Sequence, residues 1–229
     1  MKSQLLIAAA GLGERMGEGR PKALMPLAGV PILARTLERF RGAGLVEGAV
    51  IVVPSHHRVE FADTLAAIFP DMTFRLEEGG RHRQLSVANG LAALDTDTEI
   101  VVIHDAARPY VTAACIDASI ETAAACGAAT VAVPATDTIL AADEEGFVVD
   151  TPDRSALWAC QTPQTFRVAV IREAHARARE DGFMATDDAT LVRRYDGKVR
   201  IVLGTPLNFK ITTPADLALA ECVYKRKLA

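Results

Sequence analysis

Short apolar runs alternate along the chain with segments whose apolar positions repeat at helical spacing. The runs lie at residues 5–9, 49–53, 99–103, 129–133 and 199–203. They are almost continuously apolar, which is typical of strands covered by helices on both faces. The pattern therefore predicts a layered α/β fold with a mostly parallel, Rossmann-like sheet.

Helical periodicity is clearest in three of the intervening segments. Two of them space their apolar residues at i, i+4 and i+7: Phe61, Leu65 and Ile68, then Val87, Leu91 and Leu94. Pro70 is expected to end the first of these helices. In the third segment, near the end of the chain, Thr213 is the predicted N-cap of a helix, with Pro214 at the first helical position and Asp216 in the first turn.

Residues 136–158 interrupt the alternation. They contain two short β runs, 138–142 and 146–150, joined by the turn sequence Asp143-Glu144-Glu145-Gly146. We interpret them as a β-hairpin arm inserted into a single domain that covers residues 1–229. Because such an arm cannot bury both of its faces alone, it favours a homodimer.

Composition narrows the class of protein. The chain has 229 residues, of which 50% are hydrophobic, and this suffices for one core. The net charge of -4, without a basic stretch, argues against a nucleic-acid partner, and the first apolar run is too short to span a membrane. The four cysteines lack zinc-site spacing, so we expect reduced thiols in the cytoplasm.

A glycine-rich loop follows the first predicted strand, where residues 8–17 read AAAGLGERMG. The N–H groups around Gly11 and Gly13 suit a phosphate. A dinucleotide-binding motif would need glycine where Met16 stands, and a P-loop would need Gly-Lys-Ser/Thr around Lys22. The better interpretation is a nucleotidyltransferase loop in which Arg15 and Lys22 meet a nucleoside triphosphate.

The strand at 99–103 ends in His104-Asp105-Ala106-Ala107-Arg108-Pro109. A carboxylate at the carboxyl end of a strand, beside phosphates, is a typical Mg²⁺ ligand, so Asp105 is the predicted metal residue. Arg108 is expected to reach an incoming phosphate. His104 is interpreted as a hydrogen-bonded residue near the strand end, since a phosphate nucleophile is already ionised and needs no general base.

Together these two segments resemble the 2-C-methyl-D-erythritol 4-phosphate cytidylyltransferases of the non-mevalonate isoprenoid pathway. Further segments match that family in order along nearly the whole chain: Gly79-Gly80-x-x-Arg83-x-x-Ser86-Val87, Asp137-Thr138, Asp153-Arg154 with Leu157-Trp158, Thr162-Pro163-Gln164, Thr186-Asp187 and Lys210. The chain departs from the family at Ala8, Ala23 and Leu85, which often are proline, glutamine and an acidic residue there.

The resemblance implies that CMP is transferred from CTP to 2-C-methyl-D-erythritol 4-phosphate, called the acceptor below, with release of pyrophosphate. It implies three sets of residues. The nucleotide-binding set is Ala9, Ala10, Gly11, Gly13, Gly80 and Ser86. The acceptor-binding set is Asp105, Arg108, Thr138, Arg154, Thr186 and Lys210, with Thr138 and Arg154, and Arg108 as a further candidate, supplied by the arm of a second subunit. The cations expected to stabilise the transition state are Arg15, Lys22 and Lys210.

Several alternatives stay open at this point. Ser86 and Thr186 are also good N-caps for the helices that follow them, which would leave Asp187 as a first-turn charge. A ribitol 5-phosphate cytidylyltransferase shares the loop and the His-Asp-x-x-Arg-Pro segment. Two alternatives come from other classes of protein. A nicotinamide dehydrogenase is disfavoured by Met16, which stands where its motif needs glycine. A non-catalytic CTP-binding module is disfavoured because it would not need all four charged residues of the motifs.

Overall fold

The computed structural model describes residues 1–13, 16 and 20–228. Within them the strands are β1 Ser3–Ala8, β2 Pro26–Leu27, β3 Val30–Pro31, β4 Ala49–Val53, β5 Arg75–Glu78, β6 Ile100–Asp105, β7 Ala128–Pro134, β8 Ala141–Ala142, β9 Val148–Asp150, β10 Trp158–Arg167 and β11 Arg200–Leu203. The α-helices of the same residues are α1 Ile32–Arg41, α2 Arg58–Ile68, α3 Arg83–Ala92, α4 Ala113–Cys126, α5 Val168–Glu180, α6 Asp188–Arg194 and α7 Pro214–Lys225.

Seven strands form one sheet in the order β11-β7-β10-β6-β1-β4-β5. Every neighbouring pair is parallel except the two pairs that β10 makes, with β6 and with β7. All five strands predicted from apolar runs lie in this sheet, with bounds that differ from the prediction by at most two residues. The predicted α/β fold with a mostly parallel sheet is therefore confirmed.

Helices cover both faces of the sheet, and the strands alternate between two cores. On one face Leu5 and Ile7 of β1 pack in a cluster with residues of α1, α2 and α4. On the other face Leu6 of β1 packs in a cluster with residues of α3, α5 and α6. Burial on both faces explains why these strands are apolar at nearly every position.

The predicted helix ends are largely confirmed. Helix α2 stops at Ile68, just before Pro70. Helix α7 begins with a capping box, in which the Thr213 side chain accepts from the Asp216 N–H and Asp216 accepts from the Thr213 N–H. Leu94 is buried but lies beyond α3, which ends at Ala92.

The predicted arm is present as the antiparallel pair β8 and β9, which is shorter than its sequence pattern suggested. Its apolar side chains are exposed in this single chain: Ile139, Leu140, Phe147, Val148 and Val149. Phe147 retains 67% of its accessible surface. A run of exposed apolar residues of this kind is typical of a surface that another molecule covers.

No helix in the described part of the chain combines the length and the apolar character needed to cross a membrane.

Candidate active site

The sheet brings the candidate residues together at the carboxyl ends of its parallel strands. Ala8 at the end of β1 lies beside Asp105 at the end of β6. On the other side, the Gly79 N–H donates to the carbonyl of Val53, the last residue of β4. The loop after β1, the loop after β5 and the segment after β6 therefore meet at one edge, where ligands bind in open α/β sheets.

The Gly79-Gly80 turn lies directly against the loop after β1. A Cβ at position 79 would come within 2.3 Å of the Ala10 Cβ, so only glycine allows this approach. Ala9 is buried and its N–H donates to Val52, whereas Gly11 is exposed. The predicted nucleotide residues thus lie on two segments that contact each other, although their contact with CTP stays a prediction.

Ser86 shapes the Gly79-Gly80 turn and does not cap a helix. Helix α3 begins three residues earlier, with His82 at the N-cap, so the interpretation of Ser86 as an N-cap is wrong. Its buried hydroxyl accepts from the Gly80 N–H at 3.1 Å and donates to the His82 carbonyl at 3.1 Å. Ser86 therefore fixes the shape of the Gly79-Gly80 turn from inside.

Lys22 begins a short 3₁₀-helix and lies against the glycine-rich loop. Gly13 has φ +73°, and a Cβ there would lie 2.7 Å from the Lys22 Cβ. The loop after β1 therefore folds back onto the lysine that was predicted to meet the triphosphate. Arg15, the other predicted cation of this loop, lies outside the described residues.

Asp105 is the centre of a buried group of charges. Its Oδ2 lies 2.7 Å from Lys210 Nζ and its Oδ1 lies 3.3 Å from Arg83 Nε. Burial alone would raise the pKa of Asp105, but the charges of Arg83, Lys210 and then Arg108 outweigh it and hold the pKa well below its ordinary value. Asp105 is thus an ionised carboxylate, as its predicted role requires.

The buried His104 fixes the backbone around Asp105. The Thr162 hydroxyl accepts from the Asp105 N–H at 3.1 Å and donates to His104 Nδ1 at 3.0 Å. Nδ1 is the acceptor because the ring proton lies on Nε2, which donates at 3.1 Å to the Arg108 carbonyl, a group that can only accept. Burial, partly offset by that last hydrogen bond, lowers the pKa of His104 to about 4, which keeps the ring neutral near pH 7. Its predicted non-catalytic, hydrogen-bonded role fits this geometry.

Lys210 is held in place by the segment that precedes it. The buried Asn208 side chain donates to the Thr162 carbonyl at 2.9 Å and to Gln161 Oε1 at 3.1 Å. On the far side the Ile211 N–H donates to the Ala107 carbonyl. Arg108 lies at the same place, donating to the Asn208 carbonyl at 2.8 Å, and burial lowers the pKa of its guanidinium. The structure thus joins Arg108, Asp105 and Lys210 within one chain, whereas the resemblance had offered Arg108 as a candidate from the arm of a second subunit.

Thr186 is exposed on the segment before α6, and it is not the N-cap of that helix. Asp187 is the cap, because its side chain accepts from the Thr190 N–H at 2.7 Å. The expected roles of both residues at the N-terminus of α6 were therefore wrong by one position. Thr186 lies outside the helix, and Asp187 is its N-cap rather than a charge in its first turn. The Thr186 hydroxyl is left available for a ligand.

Thr138 and Arg154 lie on the exposed arm. Arg154 Nη1 donates to the Thr136 carbonyl at 3.0 Å, which ties together the two segments that form the base of the arm. In the part of the chain that the structure describes, neither residue has a hydrogen bond or ion pair to Asp105 or Lys210. Their prediction as residues supplied by a second subunit agrees with this separation but stays a prediction.

Sequence reasoning missed several residues that build the site. They are Arg83, Gln84, Thr162, Gln164 and Asp188. Three of them stood inside matched motifs without a role, since Arg83 is the arginine of the Gly-Gly segment, and Thr162 and Gln164 belong to Thr-Pro-Gln. Their roles are contacts between distant segments, which no local pattern reveals.

The donor atoms at Asp105 suit a magnesium ion only in part. Among the described residues there is no group of three or more His, Cys, Asp and Glu side chains that would hold a metal alone. A single ionised carboxylate fits Mg²⁺ when the substrate's phosphates provide the other ligands. Asp105 meets that condition, with Lys210 as the competitor for its Oδ2.

Comparison with known proteins agrees with this arrangement. The model of the IspD family, 2-C-methyl-D-erythritol 4-phosphate cytidylyltransferase, matches residues 4–226. A protein of that name from Caldanaerobacter subterraneus subsp. tengcongensis is 42% identical over 228 residues, covering 99% of this chain and 100% of the relative. One from Bacillus velezensis is 44% identical and covers 98% of this chain and 97% of the relative.

Solved structures extend the likeness to three dimensions. The 4-diphosphocytidyl-2C-methyl-D-erythritol synthase of Anaerococcus prevotii superposes with a TM-score of 0.87 at 29% identity, covering 98% of this chain and 96% of that one. The 2-C-methyl-D-erythritol 4-phosphate cytidylyltransferase of Thermus thermophilus gives 0.78 at 35% identity, covering 98% and 100%. With nearly its whole length matched in sequence and in fold, the chain belongs to the 2-C-methyl-D-erythritol 4-phosphate cytidylyltransferase family.

Proposed function

We propose that this protein transfers CMP from CTP to 2-C-methyl-D-erythritol 4-phosphate in isoprenoid precursor biosynthesis. An oxygen of the acceptor's phosphate attacks the α-phosphorus of CTP, and the bond from that phosphorus to the bridging oxygen of the β-phosphate breaks. The products are 4-diphosphocytidyl-2-C-methyl-D-erythritol and pyrophosphate. The observation that carries the proposal is the Lys210–Asp105 pair, 2.7 Å apart, at the sheet edge where the glycine-rich loop begins.

Each charged residue has a distinct task in this reaction. Lys22 and Arg15 hold the triphosphate and neutralise the charge that develops as pyrophosphate leaves. Lys210 moves from Asp105 to the phosphate that attacks, and Asp105 accepts hydrogen bonds from the acceptor's hydroxyl groups. Arg108 adds positive charge beside the incoming phosphate.

A divalent cation, Mg²⁺ by its preference for hard oxygen ligands, is expected to accompany the nucleotide, with Asp105 as its protein ligand. When bound, it supplies charge neutralisation on the phosphates. We place the enzyme in the cytoplasm, which agrees with its four free thiols.

The function is tested by measuring pyrophosphate release from CTP and Mg²⁺ in parallel reactions with 2-C-methyl-D-erythritol 4-phosphate and with ribitol 5-phosphate. We expect release with the first acceptor only. Release with ribitol 5-phosphate alone would retain the chemistry and change the substrate. No release with either, together with measurable CTP binding, would point to a nucleotide-binding module.

We further propose that the active site is completed in a homodimer, with Thr138 and Arg154 supplied by the arm of the partner subunit. Two observations support this. The arm exposes five large apolar side chains, and its Arg154 has no ion pair to the acceptor residues in the described part of its own chain. An isologous dimer in which each arm reaches across would bury the apolar surface and complete both sites.

Subunit exchange tests this sharing directly. Arg154→Ala and Lys210→Gln are each expected to be nearly inactive as pure proteins. After denaturation and refolding as an equal mixture, half of the dimers are mixed, and each mixed dimer has one site with both residues intact. The mixture should therefore recover about a quarter of wild-type activity. If each site uses its own Arg154, the mixture will recover no activity.

A further inference from the structure

Arg83 connects two buried carboxylates that belong to different walls of the site. Its Nη1 lies 2.6 Å from Asp188 Oδ2 and its Nε lies 3.3 Å from Asp105 Oδ1. The side chain of Asp188 is only 2% exposed and that of Asp105 only 10%. Burial opposes the charge of Arg83, but Asp188 and then Asp105 raise the pKa of its guanidinium above the ordinary value. Arg83 is therefore a fixed cation between them.

The residue after Arg83 makes a second connection to the same wall. Gln84 Nε2 donates to the Phe183 carbonyl at 3.0 Å, and Gln84 Oε1 accepts from the Ala185 N–H at 2.8 Å. The first turn of α3 thus holds residues 183–188 near both ends, through Gln84 at one end and Arg83 at the other. Thr186 is exposed between these two attachments.

Strand β10 also holds this segment, at the start of α6. Gln164 Oε1 accepts from the N–H groups of Asp188 and Ala189, at 3.0 and 3.2 Å, and its Nε2 donates to Asp187 Oδ2 at 2.9 Å. The start of α6 is therefore anchored on both sides. Residues 183–188 cannot shift towards or away from Asp105 without breaking the Arg83 bridge.

We propose that Arg83 is a positioning residue for the acceptor: it sets the distance between Asp105 and residues 183–188, and Asp188 acts only through it. The inference rests on the proposed function, in which Asp105 and Thr186 contact the acceptor. Residues 183–188 include the acceptor residue Thr186 and none of the predicted nucleotide residues, so we expect Arg83 to affect the fit of the acceptor more than the binding of CTP.

Arg83→Lys is the main test, because it keeps the charge that the two buried carboxylates need. An ammonium is a single compact charge and cannot span both carboxylates as the guanidinium does. We expect the KM for the acceptor to rise about tenfold or more and the KM for CTP to change less than about threefold. Arg81→Lys, at an exposed arginine two residues earlier, is the matched control and should leave both constants unchanged.

A double-mutant cycle tests whether Asp188 acts through Arg83. Arg83→Gln leaves the buried Asp188 without its arginine, and Asp188→Asn leaves Arg83 with Asp105 as its remaining carboxylate, so thermal melting is recorded for both. The double variant replaces the ion pair by two neutral amides and is expected to regain the melting temperature lost in the single variants. Its kcat/KM for the acceptor should be no lower than that of Arg83→Gln alone, since coupled residues are not additive.

The outcomes separate the two proposals. A wild-type protein that releases no pyrophosphate with the acceptor overturns the proposed function and this inference together. With an active wild type, equal increases in both KM values for Arg83→Lys, or no change in either, would show that Arg83 has only a structural role. Losses in kcat/KM that add in the double variant would exclude the link from Asp188 through Arg83.

Discussion

Replacing Lys210 with glutamine is expected to lower kcat by about 10²–10³-fold, the usual effect of removing a positive charge that stabilises a transition state. Glutamine has a similar length but no positive charge. In the free protein Lys210 neutralises the buried carboxylate of Asp105, and in the reaction it is proposed to neutralise the attacking phosphate. The KM for CTP should change little, because the predicted nucleotide residues lie on the loops after β1 and β5 and in the first turns of α3.

Steady-state kinetics with each substrate varied in turn checks this prediction. Lys210→Arg keeps the charge and should retain more activity than the glutamine variant. Lys225→Gln is a control, because it removes an exposed lysine that pairs with Glu221 on the surface of α7. A Lys210→Gln protein with normal kcat and a raised KM for the acceptor would assign Lys210 to binding alone.

Lys22→Ala should likewise reduce kcat by about 10²–10³-fold, with the KM for CTP altered less than about threefold. The reason is positional. Because position 13 is glycine, the loop after β1 comes very close to Lys22. The Lys22 side chain therefore begins beside the backbone that is predicted to bind the phosphates. A cation held there acts mainly on the charge that appears when pyrophosphate leaves.

Arg20 offers a matched control for Lys22. It lies two residues earlier, but its guanidinium is paired with Glu60 at 2.9 Å, and 53% of its side chain is exposed. Arg20→Ala should therefore retain wild-type kcat. If Lys22→Ala raises only the KM for CTP, the residue contributes to ground-state binding and its assigned role in the transition state is wrong.

Apolar patterns were enough to predict five strands of the sheet but not β10. That strand is buried through polar side chains, since Gln161, Thr162, Gln164 and Thr165 are each 5% exposed or less. They are satisfied by partners far away in sequence, such as the N–H groups of α6 and the backbone of Asp105. Pro163 in the middle of the strand further argues against a strand on sequence grounds. Edge strand β5 was missed because Arg75-Leu76-Glu77-Glu78 is mostly charged.

The site was predicted best where function depends on residue type and position in a motif. Asp105 and Lys210 meet as the motifs implied, although they are far apart in sequence, and Arg108 lies beside them in the same chain rather than on the arm. The errors concern which of two adjacent residues caps a helix, as with Thr186 and Asp187, because either side chain can bond the same N–H groups. Arg83 escaped notice because its partners, Asp105 and Asp188, become neighbours only after the sheet and α6 have formed.

Strand β10 also limits how this protein can be re-engineered. It begins at Trp158, at the base of the arm, and within a few residues it supplies the hydroxyl that binds the Asp105 N–H and the amide that binds the start of α6. Deleting the whole arm would shorten β10, the strand whose side chains hold Asp105 and the start of α6 in place. The proposed dimer is better disrupted by charged substitutions at Phe147 and Val149 near the hairpin tip, which leave the strand intact.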